Sequence, residues 1–152
     1  MSVETRIANM NDVNTLHELN KACLPIYYSK LEYIYMLFMT NNYLTLLSTY
    51  NGLICGYLVA EYNDKKNVHI LTFGVCENYR QKGIGRKLID SLVLHVKDRY
   101  NEITLHVHVE NIGGIEFYKK MGFSKTKNLK NYYNGSLNNV KSQDAIRMIR
   151  YL

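Results

Sequence analysis

The residues with the clearest chemical potential form one basic, glycine-bearing run: Arg80, Gln81, Lys82, Gly83, Ile84, Gly85 and Arg86. A strand-like apolar segment, Val68 to Val75, precedes it, and an amphipathic helix-like segment, Lys87 to Arg99, follows it. A loop in that setting is built to hold phosphate. Free backbone N–H groups and the positive end of the helix dipole face the anion. Gly83 and Gly85 lack a Cβ, so the backbone can approach a ligand closely or adopt positive φ. The spacing is not Gly-x-x-x-x-Gly-Lys-Ser/Thr, which excludes a nucleoside-triphosphate P-loop. Leu88 stands where a dinucleotide fingerprint needs its third glycine, which excludes that motif as well. What remains is Arg-x-x-Gly-x-Gly, at Arg80, Gly83 and Gly85. By itself it reads equally as a loop with two turn glycines and solvated basic side chains.

Histidine supplies the second set of reactive groups. Ile103, Leu105, Val107 and Val109 alternate with Thr104, His106 and His108, the pattern of a strand with one apolar face. A neutral imidazole on the polar face can take a proton near pH 7, because its unperturbed pKa is about 6.5. The same alternation fits a histidine that merely faces solvent.

The elements that must position these groups follow in mixed α/β order. Val3 to Ala8 reads as a strand. Asn11 or Asp12 can cap a helix running to about Cys23, with Leu16, Leu19 and Cys23 at helical spacing. Pro25, the single proline, interrupts, and Ser29 can cap a second helix to about Met39. Tyr43 to Thr49 and Leu53 to Glu61 flank Asn51-Gly52, a two-residue hairpin signal. Tyr62 to Asn67 turns into the strand before the loop. After the Lys87 to Arg99 helix and the histidine strand, Asn111 to Met121 reads as a helix stopped by Gly122. Phe123 to Tyr132 and Ala145 to Leu152 read as closing strands.

Length predicts one domain, 1–152, with 47% apolar residues to build its core. Lys and Arg number 19 against 13 Asp and Glu, a net charge of +6, which suits an anionic ligand. Outside the Arg80 to Lys87 run the basic residues are dispersed, with no zinc-finger spacing and no RNP-like segment, so direct nucleic-acid binding is not expected. Cys23, Cys55 and Cys76 stand alone and odd in number, and no leader pattern opens the chain; a reduced intracellular compartment is expected. Tyr33 to Met39, the longest apolar stretch, is too short to span a bilayer, so no membrane is expected.

The loop at Arg80, Gly83 and Gly85 resembles the acetyl-coenzyme A pyrophosphate loop of the GCN5-related N-acetyltransferase (GNAT) family. Asn111 to Phe123 resembles that family's Asn-x-x-Ala-x-x-Phe-Tyr-x-x-x-Gly-Phe pattern, with Gly114 where alanine is usual. The order β-α-α-β-β-β-α-β-α-β-β resembles the whole GNAT fold. That fold is α/β, a single mixed, mostly antiparallel sheet with a splayed strand pair and about four helices. Within the family, Leu24-Pro25-Ile26 with Tyr28, Ile70 to Gly74, Leu105-His106-Val107, Phe117-Tyr118 and Asn131-Tyr132-Tyr133 resemble eukaryotic N-terminal acetyltransferases of the Naa-fifty type, the catalytic subunit of the NatE activity.

The resemblance implies an acetyl-coenzyme A-dependent transferase without a metal. It would acetylate the α-amino group of protein N-termini, typically Met followed by an apolar residue. His106 matches the family's general base. His69 stands where the family has a catalytic tyrosine, so it is either a second base or a tolerated polar residue. Tyr118 would meet the leaving thiolate. Backbone N–H groups of Phe73, Gly74 and Val75 would polarise the thioester oxygen, and Asn111 would hold the pantetheine arm. Leu24, Pro25, Ile26 and Tyr28 would form one wall of the peptide site, and Tyr132 and Tyr133 the other. With 14 tyrosines in the chain, each of these aromatics also fits a core role. Other acceptors stay open: lysine, small amines, or Ser and Ala N-termini. So does a non-catalytic acetyl-coenzyme A-binding subunit. The family further implies a NatA-type scaffold with its catalytic subunits, and a cytoplasmic, ribosome-associated or nuclear location.

Overall fold

The computed structural model describes residues 2–152. Its strands are β1 (Val3–Ile7), β2 (Tyr43–Tyr50), β3 (Leu53–Asn63), β4 (Asn67–Val75), β5 (Glu102–His108), β6 (Ser124–Leu129) and β7 (Ala145–Tyr151). Its helices are α1 (Val13–Cys23), α2 (Lys30–Phe38), α3 (Ile84–Val96) and α4 (Ile112–Lys120). The strands form one sheet in the order β1-β2-β3-β4-β5-β7-β6. Every neighbouring pair is antiparallel except β4 and β5. Those two pair over only three positions, Asn67 with Glu102, Val68 with Ile103 and His69 with Thr104, and then part. The expected mixed, mostly antiparallel sheet with one splayed pair is present.

Local chemistry sets the ends of these elements. Asn51 at φ 50° and Gly52 at φ 86° turn β2 into β3 through the expected two-residue hairpin. Ser29 caps α2 in a reciprocal box with Glu32, at 3.1 Å in each direction. Asp12 precedes α1 as expected, but its carboxylate does not cap that helix. It accepts from Arg6 at 2.8 and 2.9 Å and from the Asn9 N–H at 2.8 Å, tying β1 to the helix entrance.

Three expected boundaries move by three residues each. α3 begins at Ile84, inside the basic run, because Gly83 adopts φ 80° as its N-cap and Ile84 is buried. It ends at Val96 rather than Arg99, where Arg99 N–H turns back to Val96 in a short i→i−3 bond. β6 stops at Leu129 instead of Tyr132. Asn131 and Asn134 take the left-handed φ values 52° and 48°, and the Asn131 N–H donates to Asp144. The segment after β6 is therefore a loop with its own hydrogen bonds, and it carries Tyr132 and Tyr133.

Helices cover both faces of the sheet. α3 and α4 pack on one through Ile84, Leu88, Ile89, Leu92 and Ile115. α1 and α2 pack on the other through Leu16, Leu19, Tyr33, Met36 and Leu37, against Leu47, Tyr57 and Val59. A polar knot ties this second layer. Fully buried Asn20 accepts from Tyr33 Oη at 2.7 Å and from the Tyr28 N–H at 3.0 Å, and donates to Tyr57 Oη at 3.0 Å and Thr72 Oγ1 at 3.4 Å. Tyr57 and Thr72 are also joined at 2.8 Å. A buried polar group is tolerated only when satisfied, and one amide here serves two helices, a loop and two strands. Asn20→Ala would orphan the Tyr33 hydroxyl and the Tyr28 N–H. It should cost about 2–4 kcal/mol, read as a lowered urea midpoint at unchanged slope.

Candidate active site

β4 builds the site's floor. Its pairing with β3 slips between Val59–Thr72 and Ala60–Ile70, so Leu71 is a bulge residue. A bulge re-aims the side chains beyond it. Leu71 packs against the α1–α2 layer, and Thr72 reaches Asn20 on the same side. Past His69 the β4–β5 ladder has ended, so the backbone from Ile70 to Val75 borders the gap on that edge. At Gly74 an added Cβ would lie 2.8 Å from both Cys23 Cβ and Tyr57 Cε1, which requires glycine where α1 crosses the strand.

His69 is the last paired residue before the gap. Its Nδ1 meets Thr104 Oγ1 at 2.8 Å, and its ring centroid lies 4.7 Å from that of His106. His106 Nδ1 meets Tyr132 Oη at 3.1 Å. The predicted pair of histidines is brought together, with a tyrosine of the 130–144 loop beside it. Burial, with His106 and Arg147 adding to it, lowers the His69 pKa from 6.5 to about 4. Burial, Arg147 and Lys127 also lower that of His106. Both imidazoles are therefore neutral at pH 7. His108 is engaged elsewhere: Nε2 lies 2.7 Å from the Ser142 carbonyl and its ring packs edgewise on Tyr133.

On the opposite side of the gap, Tyr118 is packed among Phe73, Phe117 and Phe123, with centroids 5.5–6.1 Å apart. Burial holds its phenol protonated well above the usual range, so it is available only as a donor or neutral acceptor. The Asn111 Oδ1 accepts from the Gly114 N–H at 3.0 Å, so this side chain caps α4. A Cβ on Gly114 would lie 2.5 Å from Asn111 Nδ2, so an alanine there would require the Asn111 side chain to shift.

The basic loop is a short 3-10 turn, Glu77–Tyr79, followed by Arg80 to Gly83. Gln81 at φ 64° and Gly83 at φ 80° are both left-handed, a backbone form that gathers N–H groups into an anion nest. The first helical bond is from Lys87 N–H to the Gly83 carbonyl, so the N–H groups of Ile84, Gly85 and Arg86 lie ahead of the ladder. These residues fit a pyrophosphate. Two of these residues also pack into the fold. Ile84 points into the core and offers only its backbone. Gly85 is glycine for packing: a Cβ would press on Phe73 and Phe117 at 3.2 Å. Of the two loop glycines, Gly83 is the one that faces open space. Arg80 is oriented by donating Nε to the Val75 carbonyl at 3.2 Å.

The α1–α2 loop carries Leu24 to Tyr28. Pro25 and Ile26 are exposed, while Leu24 and Tyr28 are half-buried. His17 Nδ1 lies 3.1 Å from the Tyr28 carbonyl, and Asn20 holds its N–H. Burial raises the Tyr28 pKa, with Glu32 and Tyr132 adding to it. An open pocket of about 380 Å³ adjoins Tyr28, lined also by Leu31, Glu32, Tyr35, Glu61 and Leu71. Sequence reasoning missed Asn20, Thr104 and this pocket. Asn20 left a signal, a polar residue on the face of α1 defined by Leu16, Leu19 and Cys23. Among the described residues no group of His, Cys, Asp and Glu could hold a metal, and no helix is long and apolar enough to cross a membrane.

Residues 13–123 match the acetyltransferase (GNAT) family. The probable N-acetyltransferase san of Drosophila melanogaster is 30% identical, over 87% of this chain and 73% of that protein. N-alpha-acetyltransferase 50 of Danio rerio is 30% identical over 81% and 75%. The structure of Arabidopsis thaliana Naa50 with the bisubstrate analogue CoA-Ac-MVNAL has TM-score 0.82 and 28% identity, covering all of both chains. The chain belongs to the GNAT family, the acetyl-coenzyme A-dependent acetyltransferases, and within it to the N-alpha-acetyltransferases.

A depressed histidine pKa has a stability consequence. The unfolded chain binds a proton at His69 near pH 6.5, and the folded chain binds it only near 4. Stability is therefore complete above about pH 6.5 and falls as the pH drops toward about 4. Tm should decline across that window, and His69→Asn should flatten part of the decline. An unaltered profile in the variant would remove His69 as its source.

Proposed function

We propose that this chain acetylates protein N-termini that begin with Met followed by an apolar residue, with His106 as general base. The observation that carries the reading is the neutral His106 beside Tyr132 at the mouth of the β4–β5 gap. The Arg80 to Arg86 loop and the N-terminus of α3 lie past the far end of β4. They would hold the pyrophosphate of acetyl-coenzyme A through Gln81 to Arg86. Bound there, the cofactor would supply a thioester carbonyl to the gap. The N–H groups of Phe73 to Val75 would donate to its oxygen. Tyr118, fixed by three phenylalanines, would donate to the departing sulfur. An α-amino group has a pKa of about 7.7–8.0, so much of it is already unprotonated at neutral pH. His106 would then take the proton released as the C–N bond forms.

Leu24, Pro25, Ile26 and Tyr28 on one side, and Tyr132 and Tyr133 on the other, supply apolar area and hydroxyl tips. That combination suits a methionine side chain and the backbone beside it. It does not suit an acidic first residue. The same reading includes a scaffold partner near the ribosome in the cytoplasm. Leu31, Ile34, Tyr35 and Phe38 form an exposed apolar stripe along α2, which supports a partner surface. His69 in place of the family's tyrosine favours a second reading, a cofactor-binding subunit with little turnover of its own.

The test is acetyl-coenzyme A turnover on peptides beginning Met-Leu, Ser and Glu, and on a blocked peptide with an internal lysine. Met-Leu should be preferred. The kcat/KM should rise with pH through the amine's own titration rather than a histidine's. His106→Ala should lower it by about 10²–10⁴-fold. No turnover on any peptide, with acetyl-coenzyme A still bound, would support the second reading instead.

A further inference from the structure

The floor of the gap contains a polar chain that the base assignment does not use. Glu102 Oε2 accepts from Asn67 Nδ2 at 3.0 Å. The same Nδ2 lies 3.2 Å from Thr104 Oγ1, and Asn67 Oδ1 already accepts from Asn63 at 2.8 Å. Thr104 Oγ1 is in turn 2.8 Å from His69 Nδ1. Thr104 itself is 1% exposed, so its hydroxyl has no water to fall back on. A hydroxyl has one proton to give. If it went to Asn67 Oδ1, the contact would be 3.4 Å, to an oxygen that already has a donor. Given to His69 Nδ1, it makes a bond of 2.8 Å. Thr104 then accepts from Asn67, whose two amide protons serve Glu102 and Thr104. Every donor and acceptor is matched in this arrangement, and the Thr104 proton takes the shorter of its two contacts, 2.8 Å against 3.4 Å.

We propose that Thr104, aligned by Asn67 and Glu102, is a positioning residue that fixes His69 as the Nε2–H tautomer, so that His69 serves the gap as a hydrogen-bond donor and not as a second base. Nδ1 is the ring's acceptor and it is taken. Nε2–H is what the ring has left to offer, and its ligand is an oxygen acceptor such as a backbone carbonyl of the incoming peptide. His106 is then the sole proton acceptor. The charged surroundings agree. Arg147 on β7, paired with His106, lies 3.9 Å from Glu102 and opposes a cationic His69, as does His106 itself. Glu61 is the residue paired with His69 across β3. Because the role of the donor rests on the acetyltransferase reading above, the test has one arm that needs no turnover.

That arm is long-range ¹H–¹⁵N NMR of the histidine rings of the wild type and of Thr104→Ser and Thr104→Val. Wild type and Thr104→Ser should show His69 as Nε2–H, and Thr104→Val should show loss of that single form. In the kinetic arm, Thr104→Val should lose about tenfold in kcat/KM, the worth of one lost hydrogen bond, and Thr104→Ser should recover it. His69→Asn, which keeps an N–H donor but no basic nitrogen, should retain more activity than His69→Ala. An Nδ1–H form in the wild type would overturn the proposal whatever the variants do. Equal loss in His69→Asn and His69→Ala would overturn the donor role. A wild type inactive on every peptide, with the expected ring spectrum, would sink the acetyltransfer reading and leave the Thr104 assignment standing.

Discussion

The parting of β4 from β5 is the constraint on which the rest depends. Two parallel neighbours share three paired positions and then separate, inside a sheet that is otherwise antiparallel. Backbone groups left without a ladder partner need another, and a ligand that threads the gap can provide it. The groups proposed for the acyl-transfer chemistry lie along that gap. His69 and Thr104 stand at its apex. Phe73 to Val75 form one edge. Phe117 and Tyr118 approach Phe73 from α4. The gap is held open by packing on both sides of the sheet, so its width is a property of two cores and not of one loop.

Asn20 is the counterpart of that opening. Where β4 has lost its neighbour on one side, the α1–α2 layer grips it on the other, through Thr72, Tyr57 and the Tyr28 backbone. The grip reaches the α1–α2 loop directly, since the Tyr28 N–H belongs to it. The strand that would present the oxyanion donors and the loop that would meet the peptide are thus fixed by the same amide. Gly74, with no room for a Cβ against Cys23, shows how closely the helix must approach.

Much of the architecture was legible because it is carried by short-range signals. Asn51-Gly52, Ser29 with Glu32, and the alternation from Ile103 to Val107 each fix one element from local chemistry alone. The nest at Gln81 to Gly83 was legible as well, through its glycines and basic neighbours. What could not be read were consequences of distant contacts. The packing of the Ile84 side chain into the core and the contact of Gly85 with Phe117 add to their place in the basic loop, and neither shows in the local sequence. The cap that Asn111 sets on the Gly114 N–H is of the same kind. Tyr132 read as a strand residue because the left-handed turns at Asn131 and Asn134 depend on Asp144 and Gln143, which lie beyond them in sequence. Thr104 was one polar residue among three on its strand. Only the β4–β5 register makes it the partner of His69.

The three-pair seam also divides how the chain is knit together. β2, β3 and β4 join through short turns and are rich in local contacts, the kind that form early in folding. β5 reaches β4 only after the α3 crossover, and its antiparallel partner β7 arrives from the far end of the chain. The seam is therefore the last and thinnest line of backbone bonding in the molecule, bridged mainly by the core under α3 and α4. Val68 and Ile103 on either side of it are fully buried, so side-chain packing carries the join where backbone bonding is thinnest. A ligand bound across the seam would therefore add backbone ties between two parts of the sheet that are otherwise held mainly by their shared core.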